Sequence, residues 1–372
     1  MKVVVSCDAI VARDYATSVV ESVLSLYEDA EIYTIVHKVG AVLGPIEQRR
    51  IQSSYLSNVI DDQHAMGESW WKKSFLIPGA CRNLTIPCSV DVVINISSGF
   101  SQGIARCAGV YQITYLVENS FQARVKRSFL EKIFSGFVEN WAKKKMGQAD
   151  QLWVTNGKEL DFWSGHHSNV SVMPPFFKAS DFPLFPSAIR KSFPNDFFCF
   201  DSPSITPEQA DSLIEKCTEL KVKFKFVGRD EHLVEKVSSE NRENFFGDRC
   251  SGELAPLLAA SRGFISLEKK GFPCRSLNAL STGTPVAMLT ESDGLAFFDK
   301  NKKEGVFNFD SFESLLSGIG GLFQGMENLD PGDLHNQTNS FHDLRFRGEF
   351  VRRMKSVAAL IQEKSDSLRN ES

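Results

Sequence analysis

The first thirty-six residues run strand, helix, strand, and that order constrains the fold more than any other feature of the chain. "KVVVSC" is a short apolar run with the length of a buried strand. "ATSVVESVLSLY" follows with Val19, Val20, Val23, Leu24 and Tyr27 at helical spacing, and "AEIYTIV" is the next strand. Strands joined through a helix lie parallel, so the chain opens with the β-α-β unit of a doubly wound α/β sheet.

The same alternation continues. "DVVINIS", "VYQITYLV" and "DQLWVTN" read as strands, with small turn residues in "SGFSQGIARCAG" between the first two. A second run begins at "FFCFDS". It continues through the helix "EQADSLIEKCTEL", the strand "VKFKFVG", the helix "GELAPLLAAS" and the strand "RGFISLE". The strand "TPVAML", a short strand near "GVFNF" and the helix "FESLLSGIGGLF" complete it. Between the runs, "MPPFFKASDFPLFPSAIRKSFPND" carries Pro174, Pro175, Pro183, Pro186 and Pro194 and shows neither period, which marks an interdomain connection. A chain of 372 residues has room for two such domains. The expected division is a domain over 1–180, a linker over 181–194, a second domain over 195–344 and a C-terminal helix over 345–372. That helix carries Phe346, Phe350, Met354, Val357, Leu360 and Ile361, and is expected to cross back to the first domain. Ligands of such sheets bind beyond the C-terminal strand ends, here in a cleft between the halves.

Charge and cysteine usage narrow the class. A net charge of −4 argues against a nucleic-acid binder. No run of about 18 apolar residues occurs, and the N-terminus reads as a strand rather than a leader; a cytoplasmic protein is expected. The eight cysteines, at 7, 81, 88, 107, 199, 217, 250 and 274, form no Cys-x-x-Cys pair and are expected as buried thiols. No metal site is expected. Residues 124–146 form a helix with an apolar stripe of Val125, Phe129, Leu130, Ile133, Phe134, Phe137, Val138 and Trp141. Arg124, Lys126, Arg127, Lys132, Lys143, Lys144 and Lys145 oppose only Glu131 and Glu139. This basic face suits peripheral contact with an anionic membrane surface on its inner side. It equally suits a solvated face whose last lysines complement the helix dipole.

The stretch "LEKKGFPCRSLNALSTGTPVAML", Leu267 to Leu289, reads as strand end, glycine turn, helix, glycine turn and strand. A loop feeding a helix N-terminus is where α/β proteins hold phosphates. Around it "DAEIYTIV", "WAKKKMGQADQLWVTNGKE", "VSVMPPFFKASDF" and "FFGDRCSGELAPLLAASRGFISLEKKGFPCRSLNALSTGTPVAML" follow in order. In these segments the chain resembles retaining GT-B glycosyltransferases of family 4, the mannosyltransferase-like kind, from Met1 to about Val306. The resemblance implies two Rossmann-like domains, an acceptor side in the first and a nucleotide-sugar side in the second, and no metal cofactor. It implies hexosyl transfer to a polysaccharide or lipid-linked glycan. Gly271, Phe272, Pro273, Asn278, Gly283 and Thr284 fall on its nucleotide-sugar positions.

The resemblance also exposes departures. Of the two family glutamates, which have seven residues between them, the first position holds Lys270 and the second Asn278. Asn278 can still bond a ribose diol, whereas Lys270 accepts no hydrogen bond. Glu268, two residues earlier, is the best candidate to contact the sugar. The family's phosphate-binding arginine and lysine are replaced by Pro203 and Glu208, so Arg229, Lys269 and Lys270 are the candidates for phosphate. The glycine-rich turn after the first strand is "IVARDYAT", with Arg13 and Asp14. Val117, beside Glu118, and Ser98 stand where histidines are common. Two readings result: a divergent glycosyltransferase using a nucleotide sugar, or a catalytically degenerate relative that serves as partner or glycan- or nucleotide-binding subunit of a second glycosyltransferase.

Overall fold

The computed structural model describes residues 1–60, 70, 72–117, 129–236, 239–269, 271–298 and 304–370. The chain divides into two compact units, Met1–Pro175 with Phe346–Ser372, and Phe176–Arg345. Each is a parallel α/β sheet of its own.

In the first unit β1 (Val3–Ile10) leads through α1 (Tyr15–Leu24) to β2 (Glu31–His37) and β3 (Ile51–Ser53). Asp14 starts α1 with a reciprocal cap: its Oδ1 accepts from the Thr17 N–H at 2.8 Å, and its own N–H donates to Thr17 Oγ1 at 2.8 Å. The chain continues through α2 (Ile77–Asn83), β4 (Thr85–Ile86), β5 (Val92–Ser97), β6 (Ala105–Arg106) and β7 (Tyr111–Leu116). It then forms α3 (Phe129–Met146), β8 (Gln151–Val154), α4 (Gly157–Ser164) and β9 (Val170–Val172). The main sheet runs β3-β2-β1-β5-β7-β8-β9 with every pair parallel. β1 and β5 are buried along their whole length, as strands covered on both faces must be. Strand order reverses between β1 and β5, the switch point of this unit.

The second unit has β10 (Phe197–Asp201), α5 (Pro207–Leu220), β11 (Lys223–Val227), α6 (Ser251–Ala260) and β12 (Gly263–Ser266). They are followed by α7 (Cys274–Ser281), β13 (Val286–Leu289), β14 (Val306–Phe309) and α8 (Phe312–Gly325). Its sheet order is β11-β10-β12-β13-β14, again parallel throughout, with the reversal between β10 and β12. The chain's phenylalanine excess is spent here. Phe198, Phe200, Phe224 and Phe226 are buried on β10 and β11, and Phe245 stacks on Phe226 with ring centroids 4.5 Å apart. The proline-rich residues 181–194 lie within this unit. There Arg190 donates to the carbonyl oxygens of Thr282 and Gly283.

The last helix, α9 (Asp343–Asn370), belongs to the first unit from Phe346 onward. Phe350 meets Trp153 edge-on at 5.6 Å. The Arg353 guanidinium lies 5.3 Å from the Trp153 ring and donates to Ser171 Oγ at 2.8 Å and to the Val172 carbonyl at 2.6 Å. No described helix is long and apolar enough to cross a membrane.

Two expectations change. The eight cysteines are not all thiols, because pairing of β4 with β6 brings Cys88 and Cys107 together, and they form a disulfide with Cα atoms 5.0 Å apart. On α3 the buried face is Val138, Ala142 and Met146, so Phe137, placed in the apolar stripe by its spacing, points outward and is 65% exposed. Val125, Arg124, Lys126 and Arg127 lie outside the described residues, as do the side chains of 129–135.

Candidate functional site

Parallel α/β sheets present ligands at the C-terminal strand ends where strand order reverses. In the second unit that point lies between the ends of β10 and β12, and a charged cluster occupies it. Asp201 ends β10 with its side chain wholly buried. Its Oδ1 lies 2.5 Å from Arg275 Nε, and its Oδ2 accepts from Ser266 Oγ at 2.7 Å. Hydroxyls tie the adjoining loops together: the Leu267 N–H donates to Ser204 Oγ at 3.0 Å, and the Glu268 N–H to Ser266 Oγ at 3.2 Å.

Arg275 sits in the first turn of α7, pointing back over the strand ends. Its Nη2 lies 3.8 Å from Glu268 Oε1, with the Glu268 side chain 31% exposed and that of Arg275 37%. Burial works against the guanidinium charge, but Asp201 and Glu268 outweigh it and raise its pKa above the ordinary value. The loop between β12 and α7 turns at Gly271, whose φ of +91° is one that only glycine adopts without strain.

The other anticipated residues separate into those at this loop and those committed elsewhere. Phe272 is buried between Phe297 and Phe341, with centroids at 5.2 and 5.7 Å, and anchors the start of α7. Pro273 precedes the first turn, and Asn278 is buried one turn on. Gly283 and Thr284 serve the fold. Gly283 has φ +77° and no room for a side chain, since a Cβ there would lie 2.6 Å from that of Pro331. Thr284 Oγ1 donates to the Leu258 carbonyl at 2.7 Å.

Among the phosphate candidates, Lys269 Nζ lies 2.5 Å from Glu291 Oε1 at the surface, and Arg229 Nε lies 3.9 Å from Asp248 Oδ2. Lys270 lies outside the described residues. Pro203 falls in a 3₁₀ turn after β10. Glu208 is in the first turn of α5, where the helix-start backbone and the Thr206 hydroxyl hold its carboxylate below the usual range, so it stays anionic. Asp201 was not among the candidates read from the sequence, and Arg275 entered only as the last residue of the phosphate-holding helix start Gly271–Arg275, not for its side chain. The available signal was a carboxylate closing an otherwise apolar strand, "FFCFD", which demands a cation from elsewhere in the chain.

The switch point of the first unit is also filled by a carboxylate. Asp8, buried near the end of β1, accepts from the backbone N–H groups of Ser98, Phe100 at 2.9 Å and Ser101 at 2.6 Å. Burial raises its pKa to about 6, and the backbone donors oppose that shift. A nest of N–H groups that could hold an external anion is therefore used internally. The turn that follows is braced by Arg13, which pairs with Glu21 at 3.2 Å and donates to the Leu43 carbonyl at 2.7 Å. Among the described residues no cluster of three His, Cys, Asp or Glu could hold a metal ion.

No protein-family model matches this chain, and no curated protein does. Solved structures match it over almost its full length. The sucrose-phosphate synthase of Thermosynechococcus elongatus is 11% identical with a TM-score of 0.67, over 97% of this chain and 100% of its own. HepE of Anabaena, solved in complex with UDP, is 14% identical with a TM-score of 0.65, over 96% of this chain and 100% of its own. WaaG, a glycosyltransferase involved in lipopolysaccharide biosynthesis, is 13% identical with a TM-score of 0.59, over 93% and 98%. At such identities the likeness is one of fold. The chain has the two-domain parallel α/β fold of the GT-B glycosyltransferases.

Proposed function

We propose that this protein is a glycosyltransferase that takes a hexose from a nucleoside diphosphate sugar and passes it to a polysaccharide or lipid-linked glycan. The supporting observation is the cluster at the second unit's switch point: Arg275 at the start of α7, fixed by Asp201, beside Glu268 and the Gly271 turn. A guanidinium and a helix start at one strand end suit a departing diphosphate. HepE, which shares the fold, has been solved with UDP-glucose. In this reading Glu268 meets the donor sugar and Asn278 the ribose. Retention at the anomeric carbon, independence from metal, and peripheral attachment to the inner membrane face through α3 and its Lys143, Lys144 and Lys145 belong to the same proposal.

The test is donor turnover. Purified protein is incubated with UDP-, GDP- and ADP-hexoses with and without EDTA, and release of nucleoside diphosphate is followed. Turnover that survives EDTA and is lost in Glu268→Gln supports the reading. Turnover unchanged in Glu268→Gln removes the role given to that residue.

A second reading has its own support. Lys270 and Asn278 replace two carboxylates, Pro203 and Glu208 replace two cations, and Asp8 fills the first unit's nest. Coupled losses of this kind abolish chemistry more readily than binding. A degenerate subunit that binds glycan or nucleotide and associates with a second glycosyltransferase is expected to bind nucleotide without turnover and to co-purify with that enzyme.

A further inference from the structure

The geometry points to Arg275 as the phosphate-binding group of the second unit and to Glu268 as its exchangeable counter-ion, displaced when a diphosphate arrives. This rests on the nucleotide-sugar reading above and names the residue pair through which it works.

The two ends of Arg275 are held very differently. At Nε the partner is Asp201, wholly buried and 2.5 Å away, whose other oxygen is already taken by Ser266 Oγ. That carboxylate cannot follow a moving side chain, so its charge holds the guanidinium at this strand end. At Nη2 the partner is Glu268 at 3.8 Å, beyond hydrogen-bond length, with both side chains about one-third exposed. Glu268 is carried by the loop after β12, next to the Gly271 turn, rather than by a strand or helix.

An ion pair at that distance between part-exposed side chains contributes little. A phosphate on the same edge makes short, charge-assisted bonds. Exchange at the weak end is therefore favoured, while the strong end keeps the guanidinium in place. Exchange also settles the charge. Asp201, Arg275 and Glu268 together carry one net negative charge, and moving Glu268 off the guanidinium lowers the repulsion that a diphosphate meets from them. Lys269 and Arg229 have carboxylates close by, and Glu208 has the wrong sign. Ser202 Oγ, next to Asp201, is buried and makes no hydrogen bond with any described residue, so a further donor waits at this strand end. The consequence is ordering: Glu268 is freed for the sugar only once the diphosphate is bound.

Calorimetry on the full chain tests this. UDP, GDP, ADP and pyrophosphate are titrated first, and the best nucleotide is compared with its nucleoside in wild type, Glu268→Gln and Arg275→Gln. Removing the competing carboxylate in Glu268→Gln is expected to tighten nucleotide and pyrophosphate about two- to fivefold and leave the nucleoside unchanged. Arg275→Gln is expected to weaken nucleotide about tenfold or more, again sparing the nucleoside. Diphosphate binding unchanged or weakened in Glu268→Gln overturns the exchange, as does equal loss of nucleotide and nucleoside in a folded Arg275→Gln. If Arg275→Gln does not fold, the Glu268→Gln arm decides alone. A wild-type chain that binds none of the four probes overturns both this inference and the nucleotide-sugar reading. A wild-type chain that binds nucleotide without tightening in Glu268→Gln overturns this inference alone.

Discussion

Arg275 Nε lies 2.5 Å from Asp201 Oδ1, and the aspartate is wholly buried. The pair joins the start of α7 to the end of β10 across the point where the second sheet reverses its strand order. Removing the cation leaves a buried carboxylate unpaired, so Arg275→Gln is expected to destabilise the second unit by about 2–3 kcal/mol. All five tryptophans lie in the first unit, so their fluorescence does not report this loss. Amide exchange across β10 and β12 does, and unchanged protection there would show that the pair is dispensable.

Asp8 gives the first unit a pH dependence of known sign. Its pKa is raised from 3.8 to about 6 by burial, so the folded chain holds the proton more tightly than the unfolded one. Its contribution is fully present below the ordinary carboxylate value and is lost as pH rises through about 6. The urea midpoint of the tryptophan transition, which reports the first unit, is expected to fall between pH 4 and 7. Asp8→Asn is expected to flatten that profile and lower the midpoint overall. An unchanged profile in the variant would remove Asp8 as its source.

The Cys88–Cys107 pairing predicts a count. Thiol titration of unreduced, denatured protein is expected to find the six remaining cysteines, and all eight after reduction. Eight before reduction would show that the disulfide does not form where the protein was made.

Phe350 and Arg353 hold α9 to the first unit through Trp153. Truncation of a wholly packed aromatic costs about 3–5 kcal/mol, so Phe350→Ala is expected to lower the urea midpoint of the tryptophan transition strongly. A midpoint that does not move would mean that α9 is not needed for the stability of this unit.

The fold was legible because parallel strands buried on both faces leave continuous apolar runs, and the connecting helices show their own period. β1, β2, β5, β7 and β10 to β14 stand where those runs fall. What stayed hidden depends on pairing across the sheet. Nothing local in "FFCFD" says that its carboxylate meets an arginine on α7. Nothing near Cys88 says that β6 brings Cys107 beside it. Phe137 misled because it neighbours Val138 in sequence, and one residue on a helix is a rotation of about 100°. The site was half legible. The stretch from Glu268 to Gly283 stands at the switch point, and among its described residues Arg275 is the cation paired with Asp201, while Lys269 and Arg229 lie near Glu291 and Asp248.

The central claim is that the second unit holds a nucleoside diphosphate sugar. Its most direct test is isothermal calorimetry of the full chain with UDP-, GDP- and ADP-hexoses, alongside amide exchange of the loop and first turn from Glu268 to Arg275. The account predicts saturable heat with one base, together with added protection in that segment. Well-folded protein that gives no heat with any of the three, and no change in exchange there, would contradict it.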